Sequence, residues 1–428
     1  GLVLDEGRSF VRRSREKYDL ILSSLTQTAT TGNVGLALVE SYIHTKQAFA
    51  DYYDHLAPGG RFALVLQEFP LLVRSFLTAA SVMQERGLSL PQASRCLIAI
   101  SLPEELFGAT PYRHLLVWQK TPFTPQQLEA ARREALRPDR IAYFVPGVAE
   151  NPPFLALARG EQTIASLSRS FTHAGRRLNV APTSDDRPFF LDLNFDTWSA
   201  VPAFLRWLAV GSLLAALLLA AALSRRGAKA RRGRARPLAL LSLYFCAIGA
   251  GFMLVEIPLV QKSILFVGYP TLSLSVILFS LLLGGSLGSL ASQRWPVSGL
   301  ASLVAPVGAL IALAAAAYPR LLGLVFPTLV GFNLPGRAII SAFLLLPLGF
   351  LLGMPFPSGI RLAQRLCPEE VPWLWGLNGL TTVSGSVFAV IGAKLVGLNA
   401  TPLLAAACYL SLFLPCRALR RETATPER

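Results

Sequence analysis

From Val201 onward the chain reads as one long apolar run after another, and no other feature limits its fold so strongly. A bilayer hydrocarbon core takes about 20 apolar residues per helix. Inside it every backbone N–H and C=O must be satisfied within the segment or a closed barrel. Runs of sufficient length fall near 203–223, 238–258, 271–291, 299–318, 338–357, 374–396 and 398–416. They predict an all-α polytopic transmembrane bundle of about seven spans over residues 201–428. The stretch 321–334 is shorter and contains Pro327, Gly331 and Pro335. It is expected as a re-entrant or interfacial segment, with an eighth helix as the alternative.

Charge supports a membrane partner and argues against nucleic acid. The formal net charge is +15 over 428 residues. Residues 1–200 carry 21 Lys and Arg against 20 Asp and Glu, whereas residues 201–428 carry 19 against 5. The excess therefore sits in short loops between apolar runs, not on a soluble face that could line a basic groove. Residues 224–236 hold seven positive charges and no negative ones. The positive-inside rule places this loop in the cytoplasm. With seven spans, Arg294, Arg361, Arg365 and the Arg417–Arg421 tail fall on the same side, and the soluble half falls outside. The five cysteines form no CxxC pair, and His44, His55, His114 and His173 are scattered. Neither a disulfide framework nor a metal centre is expected, and no GxSxG nucleophile motif occurs.

The first 200 residues alternate strand-like and helix-like stretches. Tyr18 to Leu22 reads as a buried strand, being short and apolar. Residues 41–56 show helical periodicity, stopped by Pro58-Gly59-Gly60. Arg61 to Leu66 is a second strand, a helix follows over 70–86, and Ser94 to Ser101 and His114 to Gln119 are later strands. Such alternation predicts a mostly parallel, doubly wound sheet. We place this α/β domain at 1–120. A Pro-rich connector or lid follows at 121–200, with a short helix near 125–136 and the segment Asn179 to Phe190 leading toward the membrane.

The order of pieces carries a resemblance. A strand-like stub is followed by Asp5-Glu6-Gly7-Arg8, then by Tyr18 to Leu22, then by a helix into Pro58-Gly59-Gly60 and a strand ending before Gln67. Over residues 1–120 this resembles the spermidine synthase family, which shares the Rossmann-like fold of S-adenosylmethionine-dependent methyltransferases. The resemblance implies a partial Rossmann-like domain with Asp5, Gly7, Ser24 and Gln67 at cofactor-binding positions. Asp5 falls where the family holds an acidic residue near the adenine of an S-adenosylmethionine-type nucleoside; the other reading is an exposed turn acid. The departures bear on activity. Ser24 stands where the family has the aspartate that deprotonates the attacking amine, and Gln27 replaces a second acid. A serine without a partner base does not act as a general base near neutral pH. The Gly-rich loop and the ribose-binding acid would lie upstream of Gly1, so the resemblance implies a chain truncated at its N-terminus that does not bind the nucleoside alone. Tyr42 and His44 border this loop and stand either in a pocket or on a helix N-terminal surface, the latter being expected.

The apolar half has its own resemblance. The runs Gly251 to Lys262 (GFMLVEIPLVQK), Leu281 to Gly288 (LLLGGSLG), Gly353 to Arg361 (GMPFPSGIR) and Trp375 to Gly379 (WGLNG) are similar to those of multi-pass bacterial membrane proteins that carry a spermidine-synthase-like domain. That implies the inner membrane, a lipid bilayer around the helices, and a polyamine or another small molecule as ligand. Glu256 and Lys262 on one run, and Asn378 and Lys394 on another, are the polar candidates. A group that ionises at membrane depth is costly and marks function; the alternative for Glu256 is a contact with Lys262 or a headgroup. Lys394 lines a path or snorkels to the interface. Gly284/Gly288 and Gly349/Gly353 are spaced for close helix packing. Two functions follow: a membrane-embedded spermidine-synthase-like protein with a degenerate aminopropyltransferase site, or a transporter-like protein with a ligand-binding or regulatory soluble domain.

Overall fold

A computed structural model of the chain describes residues 3, 5–24, 40–106, 112–195, 201, 203–229 and 235–424. It divides into two compact units, Gly1–Pro202 and Ala203–Arg428, each described here by itself.

The first unit opens with α1 (Gly7–Arg13), which starts where the Glu6 carboxylate accepts from the N–H groups of Arg8 and Ser9, satisfying donors that a helix start leaves orphaned. Strand β1 (Tyr18–Ser23) follows, then α2 (Lys46–His55) capped by Thr45, β2 (Leu56–Leu66) and α3 (Phe69–Glu85). After α4 (Leu90–Ser94) come β3 (Leu97–Ser101), β4 (His114–Gln119) and α5 (Pro125–Ala135), the last started by a Thr124–Gln127 capping box. Strands β5 (Ile141–Val145) and β6 (Ala149–Glu150), helices α6 (Phe154–Ala158) and α7 (Ile164–Ser170), and the hairpin of β7 (Thr172–His173) and β8 (Arg176–Arg177) complete the unit.

The sheet order is β1-β2-β4-β3-β5-β6. Only β1 and β2 pair in parallel; β4 runs antiparallel to both β2 and β3. The sheet is therefore mixed, which corrects the expectation of a mostly parallel one. The helical crossovers do give β1, β2 and β3 a common direction, as βαβ connections require. The β3–β4 connection carries no crossover helix among its described residues, so β4 returns reversed into the gap between β2 and β3. The region expected as an irregular connector adds β5 and β6 to the same sheet.

Strand β1 is not buried as expected. It lies at the sheet edge, with Leu20 58% and Leu22 59% exposed. Pro58-Gly59-Gly60 does not merely follow a helix: it is a bulge inside β2, where the register jumps between Tyr18↔Leu56 and Leu20↔Arg61. Gly59 has φ +78°, and a Cβ on Gly60 would stand 2.5 Å from Tyr18 O, so the bulge admits no side chain there. The core is aromatic, with Phe49, Phe62, Phe76, Trp118, Phe144 and Phe154 fully buried. The segment 179–192 joins it through Val180 and Phe190. Arg74 of α3 fixes that segment, donating to Phe190 O and Asn179 O and, at 2.7 Å, to Asp192 O.

The second unit is helical throughout: α8 (Ala203–Lys229), α9 (Ala235–Val267), α10 (Pro270–Gln293), α11 (Leu300–Leu329), α12 (Leu334–Leu352), α13 (Pro355–Leu366), α14 (Val371–Leu395), α15 (Thr401–Ser411) and α16 (Phe413–Ala424). Among the described residues, seven helical stretches are long and apolar enough to cross a membrane, and this is a multi-pass membrane protein by length and composition. The run 321–334 is no separate re-entrant segment. Helix α11 continues through Pro319 and Pro327 to Leu329, and α12 begins at Leu334 under the Asn333 side-chain cap. Its prolines lie inside the helix without ending it, as membrane helices tolerate.

Glycines set the closest approaches. A Cβ on Gly284 would collide with Leu346 O, one on Gly288 with Phe350 O, and one on Gly353 with Gly285, so α10 and α12 cross backbone on backbone. Likewise Gly249 of α9 lies against Asn378 and Thr381, and Gly385 of α14 against Ala250. At the end of α10, Arg361 of α13 donates to Ser292 O at 3.0 Å and Trp295 O at 2.8 Å, satisfying carbonyls that the helix terminus leaves open.

Candidate functional site

In an open α/β sheet, ligands bind beyond the carboxyl ends of the co-directional strands. Ser24 and Gln67 occupy that edge. They immediately follow β1 and β2; Ser23, the last residue of β1, pairs with Leu64, and β2 runs two residues further to Leu66. Ser24 is exposed. Between Asp19 and Glu40 the sequence contains no carboxylate. Gln27 lies outside the described residues.

Asp5 is otherwise engaged. Its carboxylate is ion-paired with Arg13, the last residue of α1, and its Oδ1 accepts from Glu6 N at 2.9 Å. Neither reading from sequence anticipated this partner: the acid is a fixture of α1, not an exposed turn residue. Gly7 is the first residue of α1, and a Cβ there would meet nothing within 4 Å. No close backbone approach demands a glycine at that position. Of these four residues, Ser24 and Gln67 follow the ends of adjacent strands, whereas the Asp5 carboxylate is already ion-paired with Arg13.

The best-built polar cluster near this edge was not legible in the sequence. Arg8, 3% exposed, forks onto Asp185 with Nη1–Oδ1 2.7 Å and Nη2–Oδ2 2.9 Å, and donates from Nε to Asp51 at 2.8 Å. It also donates to Tyr42 O at 3.0 Å, and Thr45 Oγ1 donates to Asp185 at 2.6 Å. Burial pulls the guanidinium pKa down, but Asp185 and Asp51 hold it above the ordinary arginine value. Burial likewise raises the Asp51 carboxyl, against the pull of Arg8. The cluster joins α1, α2 and the 179–192 segment, and its members are too far apart in sequence for any spacing signal.

His44 and His114 are buried, His55 is half-buried and His173 is exposed. His44, expected at a helix N-terminal surface, is 1% exposed, bonded from Nδ1 to Ser41 Oγ at 2.6 Å and stacked on Phe190 at 4.3 Å. Tyr42 beside it is also buried. Burial lowers the His44 pKa to about 3, and that of His114, bonded to Ser101 Oγ at 2.5 Å, to about 4. Both rings are neutral at pH 7.

In the helical unit, Glu256 of α9 is 8% exposed, and its Oε2 is buried with no hydrogen-bond partner among the described residues. The Lys262 ammonium reaches Pro319 O of α11 at 3.1 Å. Asn378 donates to Phe245 O at 3.0 Å and borders a cavity of about 210 Å³ with Gly249, Phe252 and Thr382. Lys394 does not snorkel: it is 5% exposed with Nζ inside the bundle. The contacts Phe245–Asn378 and Ala250–Gly385 show α9 and α14 running side by side in the same direction. At that offset Lys394 lies about one helical turn, roughly 5 Å, beyond the level of Glu256. The four polar candidates therefore divide between the first third of the α9–α14 pair (Asn378) and its far half (Glu256, Lys262, Lys394).

No group of three or more His, Cys, Asp or Glu residues placed to hold a metal ion occurs among the described residues. Compared with protein-family models, curated proteins and solved structures, the chain finds no match in any of the three.

Proposed function

We propose that this chain is a multi-pass protein of a bacterial inner membrane whose soluble unit is a spermidine-synthase-like domain that does not carry out aminopropyl transfer. One observation carries the reading: the edge position that needs a carboxylate base holds the exposed hydroxyl of Ser24, on a stretch without any acid. The common direction of β1, β2 and β3 with helical crossovers supports the Rossmann-like part of it. The nucleoside fits poorly, because the Asp5 carboxylate is committed to Arg13. No step of a transfer reaction is therefore derived through it. Serine also offers no anionic partner to a polyamine's ammonium at that position.

The test is to incubate the purified full chain with putrescine and decarboxylated S-adenosylmethionine. The expected result is no spermidine above the protein-free control. Spermidine formation that disappears in Ser24→Ala would contradict the proposal.

A second reading is favoured by Glu256. A carboxyl group inside a bundle of apolar helices, with one oxygen unpartnered, is costly to keep. We read it as a cation- or proton-handling group of a transporter-like bundle, with the soluble unit in a ligand-binding role. Uptake of labelled putrescine into proteoliposomes, abolished by Glu256→Gln, would support it. Uptake no greater than in empty liposomes would remove it.

A further inference from the structure

A cleft of the first unit lies apart from Asp5, Ser24 and Gln67, none of which lines it. It encloses about 960 Å³ between the last turns of α3, the helix α7 and the segment 179–184. Small-molecule sites commonly fall between about 300 and 1,000 Å³, so its size suits a drug-sized ligand.

Its walls are fixed. Arg74 ties Asn179 and the residues after it to α3. The backbone N–H of Lys46 donates to Thr183 O at 2.9 Å, and Asp185 N donates to the Gln47 side chain at 3.1 Å. The segment is thus held along its length, and the cleft is not a gap that a loop would close.

Its chemistry is asymmetric. Lys46 and Glu85 neutralise each other across the rim at 2.5 Å. Arg169 lines the cleft and has no ion pair among the described residues. Arg177 is not part of the lining, but it donates from Nε to Arg169 O at 2.6 Å and its guanidinium packs on the ring of Phe195, which puts a second cation beside the cleft. The remaining charge is positive, and a guanidinium pair at a cleft mouth recognises carboxylate or phosphate oxygens through its forked donors.

A flat apolar surface adjoins those cations. Phe195 lines the cleft, is 41% exposed, and carries the Arg177 guanidinium at 4.8 Å from its ring centroid. An exposed ring beside unpaired cations costs solvent-facing apolar area without gaining core packing, and a stacking ligand recovers it. The Gln84 side chain, also on the wall, has no hydrogen bond among the described residues and offers a donor and an acceptor side by side.

We infer that this cleft binds an anionic small molecule bearing a flat ring, the anion held by Arg169 and Arg177 and the ring lying on Phe195. The site is separate from the family positions and does not rest on the aminopropyltransferase reading.

The test uses the full chain in detergent and isothermal titration with AMP, adenosine and inorganic phosphate as probes. AMP is expected to bind at one site per chain, and adenosine and phosphate each at least tenfold more weakly. Arg169→Ala and Phe195→Ala, both at exposed positions, are each expected to weaken AMP at least tenfold with an unchanged melting curve. Absence of AMP binding at millimolar concentration would overturn the inference. So would AMP binding that both variants leave unaltered, or phosphate binding as tightly as AMP.

Discussion

Replacing Arg74 with Leu removes the single side chain that holds the 179–192 segment against α3. The guanidinium serves three backbone carbonyls closely, those of Phe190, Asn179 and Asp192, and that of Phe189 at 3.4 Å. A hydrogen bond from a charged donor contributes about 1.5–3 kcal/mol net, and a carbonyl left buried without a donor costs about 1–3 kcal/mol. Three strong bonds sum to roughly 4–9 kcal/mol. Against this stands the cost of burying the cation. Burial lowers the Arg74 pKa from 12.5 to about 10, a shift worth roughly 3 kcal/mol. The net loss is then about 1–6 kcal/mol, a range that includes the cost of breaking one side of a buried polar pair. A domain stable by about 5–15 kcal/mol survives such a loss globally but loses it locally first. Amide hydrogen exchange on the purified chain is the assay. Peptides covering 179–192 should lose most of their protection in Arg74→Leu, while those of β2 and β4 keep theirs. Arg74→Lys should recover only a small part, since one ammonium does not span carbonyls spread over fourteen residues of chain. Unchanged protection of 179–192 in the Leu variant would refute the reasoning.

Acid should destabilise the soluble unit through His44 and His114. Their folded pKa values, about 3 and about 4, lie below the unfolded value of 6.5. The unfolded state therefore binds protons first, and stability is full above about pH 6.5 and falls as pH drops toward the folded values. At pH 5 the loss is about 2 kcal/mol for each histidine. Denaturant unfolding followed from pH 7.5 to 5 should show this slope, and the double variant His44→Gln/His114→Gln should flatten it; equal slopes would refute the assignment. Gly288→Leu should disrupt the α10–α12 crossing by about 2 kcal/mol or more, because its side chain would enter Phe350. Gly323→Leu, where a Cβ meets nothing within 4 Å, is the matched control, and melting curves in detergent that fail to separate the two would count against the packing.

The membrane half was the more legible because its signal is local. A run of about twenty apolar residues predicts a spanning helix wherever it lies, and the glycine pairs at 284/288 and 349/353 already marked the close crossing. What periodicity could not show was continuity. Pro327, Gly331 and Pro335 looked like one broken segment, but only Gly331 lies in the break; Pro327 sits inside α11 and Pro335 starts α12. In the soluble half the elements α2, α3, α5 and β4 were readable from period and punctuation, but their pairing was not. Nothing in His114 to Gln119 says that the strand will turn back between β2 and β3. The apolar residues of Tyr18 to Leu22 report side-chain type, not whether a neighbour covers them, so an edge strand was read as buried. The Arg8–Asp51–Asp185 and Arg74 clusters close contacts over more than a hundred residues of chain, and only the fold brings them together.

The most direct measurement is topology mapping with reporters fused after Lys120, within the basic loop at Arg232, and at Arg428. Seven crossings put Arg232 and Arg428 on the cytoplasmic side and Lys120 on the opposite side. Lys120 and Arg232 reporting the same side, or Arg232 and Arg428 reporting opposite sides, would contradict a soluble unit joined to a seven-span bundle.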